Sequence, residues 1–245
     1  MANNNKTAIV TGAAKGIGAA IAQRLGSDGF QTVVNYLSSE TEANRLVTLI
    51  EAAGGRAIAV HGDVSDPAAV RSLFDRAEAE FGPVDVLVNN AGTLQRKPLL
   101  DVTDDDYQQL IASNLTGSFN GMREGAKRVR DGGRIINFST SIIGYYVPTY
   151  AIYAATKAAV EAMTHVLAKE LGARNVTVNA VAPGPVATDL FLTGASQEIV
   201  QRLTGEIPLG RLGQPDDIAR VVSFLAGPDS GWVNGQVIKA NGGRN

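Results

Sequence analysis

The chain has 245 residues, 44% of them hydrophobic and 19% charged, with a formal net charge of −2 and no cysteine. That balance suits a globular protein with a large buried core, excludes disulfides and thiolate metal sites, and offers no basic face to nucleic acid or an anionic membrane. The start, MANNNKTAIVTG, lacks the apolar stretch of a secretory signal, and no apolar run reaches membrane-spanning length, so a cytoplasmic protein is expected.

In chain order, short β-branched runs alternate with longer amphipathic segments. Residues 7–11 (TAIVT) read as a strand, followed by a helix over 17–27. A second strand at 32–36 leads to a helix over 40–53, which Gly54 and Gly55 end. A third strand covers 57–61. Pro67 then opens a helix to Phe81, with Asp66 as its expected N-cap. Strand 85–89 precedes a long helix over 104–130, stopped by Gly132 and Gly133. Strand 134–139 and a helix over 153–171 come next, the latter with Val160, Met163, Leu167 and Leu171 on one stripe. After strand 176–181, residues 188–213 form a loop with weaker helical pattern. A helix over 215–225 and a strand at 236–240 close the chain. The alternation predicts an α/β fold: one doubly wound, parallel, seven-stranded sheet with helices on both faces, in a single domain spanning 1–245. Ligands of such sheets bind at the C-terminal strand ends, near the point where the strand order reverses.

Two stretches on that edge carry chemistry. Residues 11–18 read TGAAKGIG, directly after the first strand and directly before a helix. Glycines there let the backbone approach a phosphate, and the helix N-terminus favours negative charge. Tyr153 and Lys157 are four residues apart, which on a helix places them on one face. An ammonium one turn from a phenol lowers the phenol's pKa from its usual value of about 10. Such a tyrosine can exchange a proton with a carbonyl or an alcohol. The plain alternative is a packed ring beside a solvated charge.

Gly12, Gly16 and Gly18 in the first turn, then Asn89-Asn90-Ala91-Gly92 after the fourth strand, then Tyr153 and Lys157 resemble the three signatures of the short-chain dehydrogenase/reductase family, classical type, 3-oxoacyl-carrier-protein reductase-like branch. The resemblance spans nearly the whole chain. It implies a Rossmann-like fold, a nicotinamide cofactor and reversible ketone/secondary alcohol chemistry. It also implies a catalytic tetrad. Tyr153 is its general acid/base, and Lys157 lowers the tyrosine pKa and holds the cofactor ribose. Asn114 is the mid-helix asparagine of the proton path. Ser141 holds the substrate oxygen; it fits S-x-x-G through Gly144, whereas Thr140 has the commoner thirteen-residue spacing to Tyr153, so both stay open with Ser141 favoured.

By the same resemblance, Ile17, Asn90, Ala91 and Gly92 line the cofactor. Asp63 and Val64 face its adenine. Pro183, Gly184, Val186 and Thr188 meet its nicotinamide end. An acidic residue ending the second strand would bind the ribose hydroxyls of NAD and repel a 2′-phosphate. Here that strand runs into Asn35, Tyr36, Leu37 and Ser38, and Lys15 stands in the glycine turn. Lys15, Asn35 and Ser38 therefore favour NADP(H), with NAD(H) possible; Leu37 stands where NADP-preferring relatives often carry Arg.

The expected activity is NADPH-dependent carbonyl reduction, on a small-molecule substrate chosen by a lid near 189–213. The alternatives are an NAD-dependent alcohol or sugar dehydrogenase and a non-catalytic dinucleotide-binding protein. No metal site is expected: His61 and His165 read as strand-end and helix-packing residues, and Asp104 to Asp106 as a helix N-terminal charge run. Trp232 reads as core or subunit contact, and the family resemblance implies a homotetramer.

Overall fold

The computed structural model describes residues 6–193 and 196–245. Residues 1–5 of the polar start, and 194 and 195 of the expected lid, lie outside the described residues.

Seven strands form one parallel sheet in the order β3-β2-β1-β4-β5-β6-β7. They are β1 (Thr7–Val10), β2 (Gln31–Tyr36), β3 (Arg56–His61), β4 (Val84–Asn89), β5 (Arg134–Phe138), β6 (Thr177–Pro183) and β7 (Val237–Ala240). Alternate residues enter opposite layers. Ala8 and Val10 pack with α1 (Gly16–Ser27), α2 (Glu40–Ala52) and α9 (Pro215–Ala226). Ile9 packs with α3 (Pro67–Phe81), α5 (Gly117–Arg128) and α6 (Ala151–Glu170). Both faces are therefore dry, which is why the strands are apolar at consecutive positions.

Local chemistry sets the element ends. Asp66 caps α3 by accepting the Ala68 N–H at 2.8 Å, and Pro67 fills the first helical position. Thr103 and Asp106 form a reciprocal capping box at the start of α4 (Asp104–Leu110). Lys97, then the amides and side chains around it, hold the Asp106 carboxyl well below the usual carboxylate range, so this acidic run is a helix start.

The helix expected over 104–130 is broken once. Between α4 and α5 the chain takes a π-helical turn at Ile111–Thr116. Such a turn releases a main-chain carbonyl, and Ser118 Oγ fills that of Asn114 at 2.7 Å. The region expected as a loop with weak helical pattern holds two short helices, α7 (Asp189–Leu192) and α8 (Gln197–Gly205). Thr188 and Ser196 cap them.

Trp232 is 99% exposed, which corrects the core alternative; it lies in the turn before β7 and meets no apolar layer of its own chain. His61 sets its ring edge against Tyr36, and His165 Nδ1 bonds the Gly235 carbonyl at 2.8 Å. Among the described residues no group of His, Asp and Glu forms a metal site, and no helix is long and apolar enough to cross a membrane.

Candidate active site

The strand order reverses between β1 and β4, and a cleft of about 1450 Å³ opens above that point. This exceeds the 300–1000 Å³ common for a single small ligand and leaves room for a dinucleotide and a substrate.

Its floor is bare backbone. Gly12 and Gly16 adopt φ of +60° and +57°, the left-handed region that suits glycine. A Cβ on Gly12 would lie 2.8 Å from Ala91 Cα, and one on Gly18 would lie 2.5 Å from the Gly12 carbonyl oxygen. Lys15 is the N-cap of α1, and its ammonium, a donor only, leaves the first-turn amides without a side-chain acceptor. An uncapped helix start above a side-chain-free turn is a cradle for phosphate, so the residues present fit a dinucleotide.

Two asparagines brace the turn. Asn90 Nδ2 donates to the carbonyls of Thr11 and Gly12 at 2.9 and 3.1 Å, while Thr11 Oγ1 accepts the N–H groups of Asn90 and Ala91, both at 3.0 Å. Asn35 accepts the Gly12 N–H at 3.2 Å and donates to the carbonyls of Val60 and Gly62 at 3.3 and 3.0 Å. Asn35 borders the cleft, but its amide is already committed to holding the turn, which corrects its expected role toward a phosphate. Ser38 lies off the cleft wall, because the chain turns away after Leu37; Leu37, 57% exposed, takes that place.

Ile17, Asp63, Val64, Ala91, Gly92, Pro183, Gly184, Val186 and Thr188, expected toward the cofactor, all border the cleft. Asp63 also accepts the Ser65 N–H at 2.8 Å, so it shapes its own turn. Thr188 reaches back over the phosphate cradle: a Cβ on Gly16 would meet its Cγ2 at 3.5 Å.

Tyr153 and Lys157 meet in this cleft from the first turns of α6. Lys157 is almost fully buried, its Nζ donating to the Phe138 carbonyl at 2.9 Å. Burial pushes its pKa down to about 8. Burial also pushes the Tyr153 phenol up to about 12, with the Thr140 hydroxyl opposing. The sequence argument expected the reverse, a phenol acidified by Lys157. The difference has a physical cause: the phenol is partly withdrawn from water, and the ammonium donates to a main-chain carbonyl.

The buried lysine gives a stability test. Its folded pKa lies below the unfolded 10.5. From pH 8 to 10 the unfolded chain therefore holds more protons, and stability rises with pH. Below pH 8 both states are charged and the burial penalty is constant. The expected gain across this window is on the order of 2 kcal/mol. Thermal melts should show it in the parent and lack it in Lys157→Met.

Asn114 is fully buried behind the cleft wall, within the π turn. It accepts the Thr93 N–H at 2.7 Å and donates to the Thr93 carbonyl at 2.9 Å, fixing the loop after β4. A Cβ on Gly92 would lie 3.0 Å from Asn114 Oδ1 and 3.4 Å from Lys157 Nζ, so glycine there lets the three elements close up.

The two hydroxyl candidates separate. Thr140 is the extended N-cap of the short turn Ser141–Gly144 and stands at the phenol. Ser141 is buried, its Oγ has no hydrogen-bond partner among the described residues, and its carbonyl is held by Asn245 at 3.0 Å. The sequence favoured Ser141; both residues border the cleft, and Thr140 acts on the phenol.

The outer wall holds residues that sequence reasoning missed. Arg96 donates to the Tyr150 hydroxyl at 2.7 Å and to the Phe191 carbonyl on α7 at 2.9 Å. Arg244 pairs with Glu206 after α8 and stacks on Tyr145, 4.6 Å from the ring centre. Nothing local in the sequence marks these pairs, which join residues 38 to 99 positions apart.

Comparisons with known proteins agree with this geometry. A family model described as enoyl-(acyl carrier protein) reductase matches residues 12–245. NADPH-dependent aldehyde reductase 2 of Arabidopsis thaliana, a chloroplastic protein, is 46% identical over 97% of this chain and 93% of its own. A short-chain type dehydrogenase/reductase of Picea abies is 43% identical over 98% and 92%. A blue fluorescent protein from a metagenomic library, solved in complex with NADPH, superposes with a TM-score of 0.94 at 40% identity, covering 100% of this chain and 99% of that one. A short chain dehydrogenase from Burkholderia cenocepacia J2315, in complex with NADP, gives 0.94 at 37%, covering 99% of each.

Proposed function

From the membership of this chain in the short-chain dehydrogenase/reductase family, whose members are NAD(P)-dependent oxidoreductases, we propose that it is an NADPH-dependent carbonyl reductase. The observation that carries the reading is the convergence of Tyr153, Lys157 and Thr140 on the cleft that the glycine cradle floors. NADP(H) is the cofactor because two similar structures hold it and because no carboxylate ends β2. Gly12, Gly16 and Gly18 would admit its pyrophosphate, Asp63 and Val64 its adenine, and Val186 and Thr188 its nicotinamide end.

Bound NADPH supplies hydride to the carbonyl carbon. Tyr153 gives its hydroxyl proton to the carbonyl oxygen as charge develops there, and in the reverse direction takes the alcohol proton back. Its raised pKa keeps that proton in place at neutral pH. Lys157 supplies a buried positive charge close by, and Asn114 fixes the loop after β4 against it. Thr140 orients the substrate oxygen toward the phenol.

Thr140→Ala is expected to lower kcat/KM about 100-fold, the scale of one lost hydrogen bond to developing charge. Ser141→Ala should stay within about threefold. Steady-state rates of the two variants decide between the hydroxyls, and the opposite ranking returns the role to Ser141.

The α7–α8 segment is the proposed lid, with Leu190 and Phe191 favouring an apolar substrate body. A cytoplasmic setting and a homotetramer, in which a second copy covers Trp232, complete the reading. Initial rates with ketones, aldehydes and 3-oxoacyl thioesters, each with NADPH and NADH, test it. No turnover with any pair, or a strong NADH preference, overturns it.

A further inference from the structure

The sequence assigns a 2′-phosphate to Lys15, and the structure gives that ammonium a prior partner. Lys15 Nζ lies 2.9 Å from Oε1 of Glu42, in the first turn of α2. Both side chains are about half exposed, at 53% and 46%. Lys15 in turn holds the Glu42 carboxyl below its ordinary range. The residues that end β2 and follow it offer the phosphate no free polar group on the cleft wall. The Asn35 amide is committed to the turn, Ser38 stands off the cleft and Leu37 carries no charge.

We propose that Glu42 is a specificity-determining residue that weakens the preference for NADP(H) over NAD(H). It does so by occupying Lys15 and by setting a like charge beside the 2′-phosphate. The inference rests on the NADP(H) reading above and deepens it. A phosphate sharing the same ammonium sits roughly 5–6 Å from the carboxylate, inside the screening length of about 8 Å at physiological salt. At that distance, near the surface, repulsion is modest, and the exposed pair itself contributes little. NAD(H) has a hydroxyl where NADP(H) has the phosphate, so it escapes the effect. The sequence argument looked for a carboxylate at the end of the second strand; this one arrives from the next helix, 27 residues after Lys15.

Dissociation constants for NADP+ and NAD+ test the proposal, measured by calorimetry on the purified chain, Glu42→Gln and Lys15→Ala. Glu42→Gln is expected to tighten NADP+ about three- to tenfold and to leave NAD+ within about twofold. Glu42 is exposed, so a matching melting temperature verifies that the variant folds. A Glu42→Gln chain that binds NADP+ no better, or that changes both cofactors alike, overturns the Glu42 proposal; if Lys15→Ala still weakens NADP+ alone, the NADP(H) reading survives. A parent that binds both cofactors equally, with Lys15→Ala changing neither, overturns both together.

Discussion

Tyr153→Phe is expected to lower kcat by at least about 1000-fold while the dissociation constant for NADP+ stays within about threefold. The substitution removes one oxygen and keeps the ring, so the packing of α6 against Tyr150 and the cleft wall persists. What disappears is the phenol hydroxyl that faces the cleft beside Thr140. Without that proton the carbonyl oxygen must develop charge unaided, and the Thr140 hydroxyl does not replace a proton donor. Single-turnover rates together with cofactor titration separate the two effects. Turnover surviving in the variant would assign the proton to another group, and cofactor binding lost along with it would make the ring a structural post.

Gly18→Ala carries the second large effect, and here cofactor affinity falls rather than the chemical step alone. The new Cβ would lie 2.5 Å from both the Gly12 carbonyl oxygen and Asn90 Nδ2, and 2.9 Å from Ala13 Cα. Two of these three are backbone atoms, so the turn must move. Its movement breaks the Asn90 bonds to Thr11 and Gly12 that hold the cradle in shape. The expected cost is about 1–3 kcal/mol of stability, typical of overpacking. NADP+ should bind at least about 100-fold more weakly, because the amides at the start of α1 no longer converge. Gly172→Ala is the control: its Cβ would meet nothing within 4 Å, and neither melting temperature nor affinity should change appreciably.

Much of the scaffold was legible because its signals are local. β-branched runs bounded by glycine, the Asp66-Pro67 start of α3 and the glycine turn before α1 all state their geometry within a few residues. The four-residue spacing of Tyr153 and Lys157 likewise survives folding, since both lie on one helix. What escaped depends on contacts across the chain or on the backbone path. The π turn at Ile111–Thr116 contains no glycine or proline to mark it in the sequence. Thr140 and Ser141 are neighbours with the same chemistry, and spacing alone does not separate them. Spacing located the Tyr–Lys pair but misjudged its electrostatics, because burial of both groups is a tertiary fact. The Lys15–Glu42 pair needs the β2 crossover to form, and Arg244 reaches Tyr145 only once β7 has joined the sheet edge.

The two arginines of the outer wall have unlike attachments, and this bears on how the enzyme could be redesigned. Arg96 grips α7 through a peptide oxygen, which every residue type offers, whereas Arg244 depends on one acidic side chain, Glu206. Exchanging Leu190, which borders the cleft, can thus alter the lining while the Arg96 anchor stays in place. Replacing Glu206 would loosen the far end of the same segment without touching its apolar surface. The lining of the cleft and the anchoring of this segment are separate handles in this chain, open to adjustment one at a time.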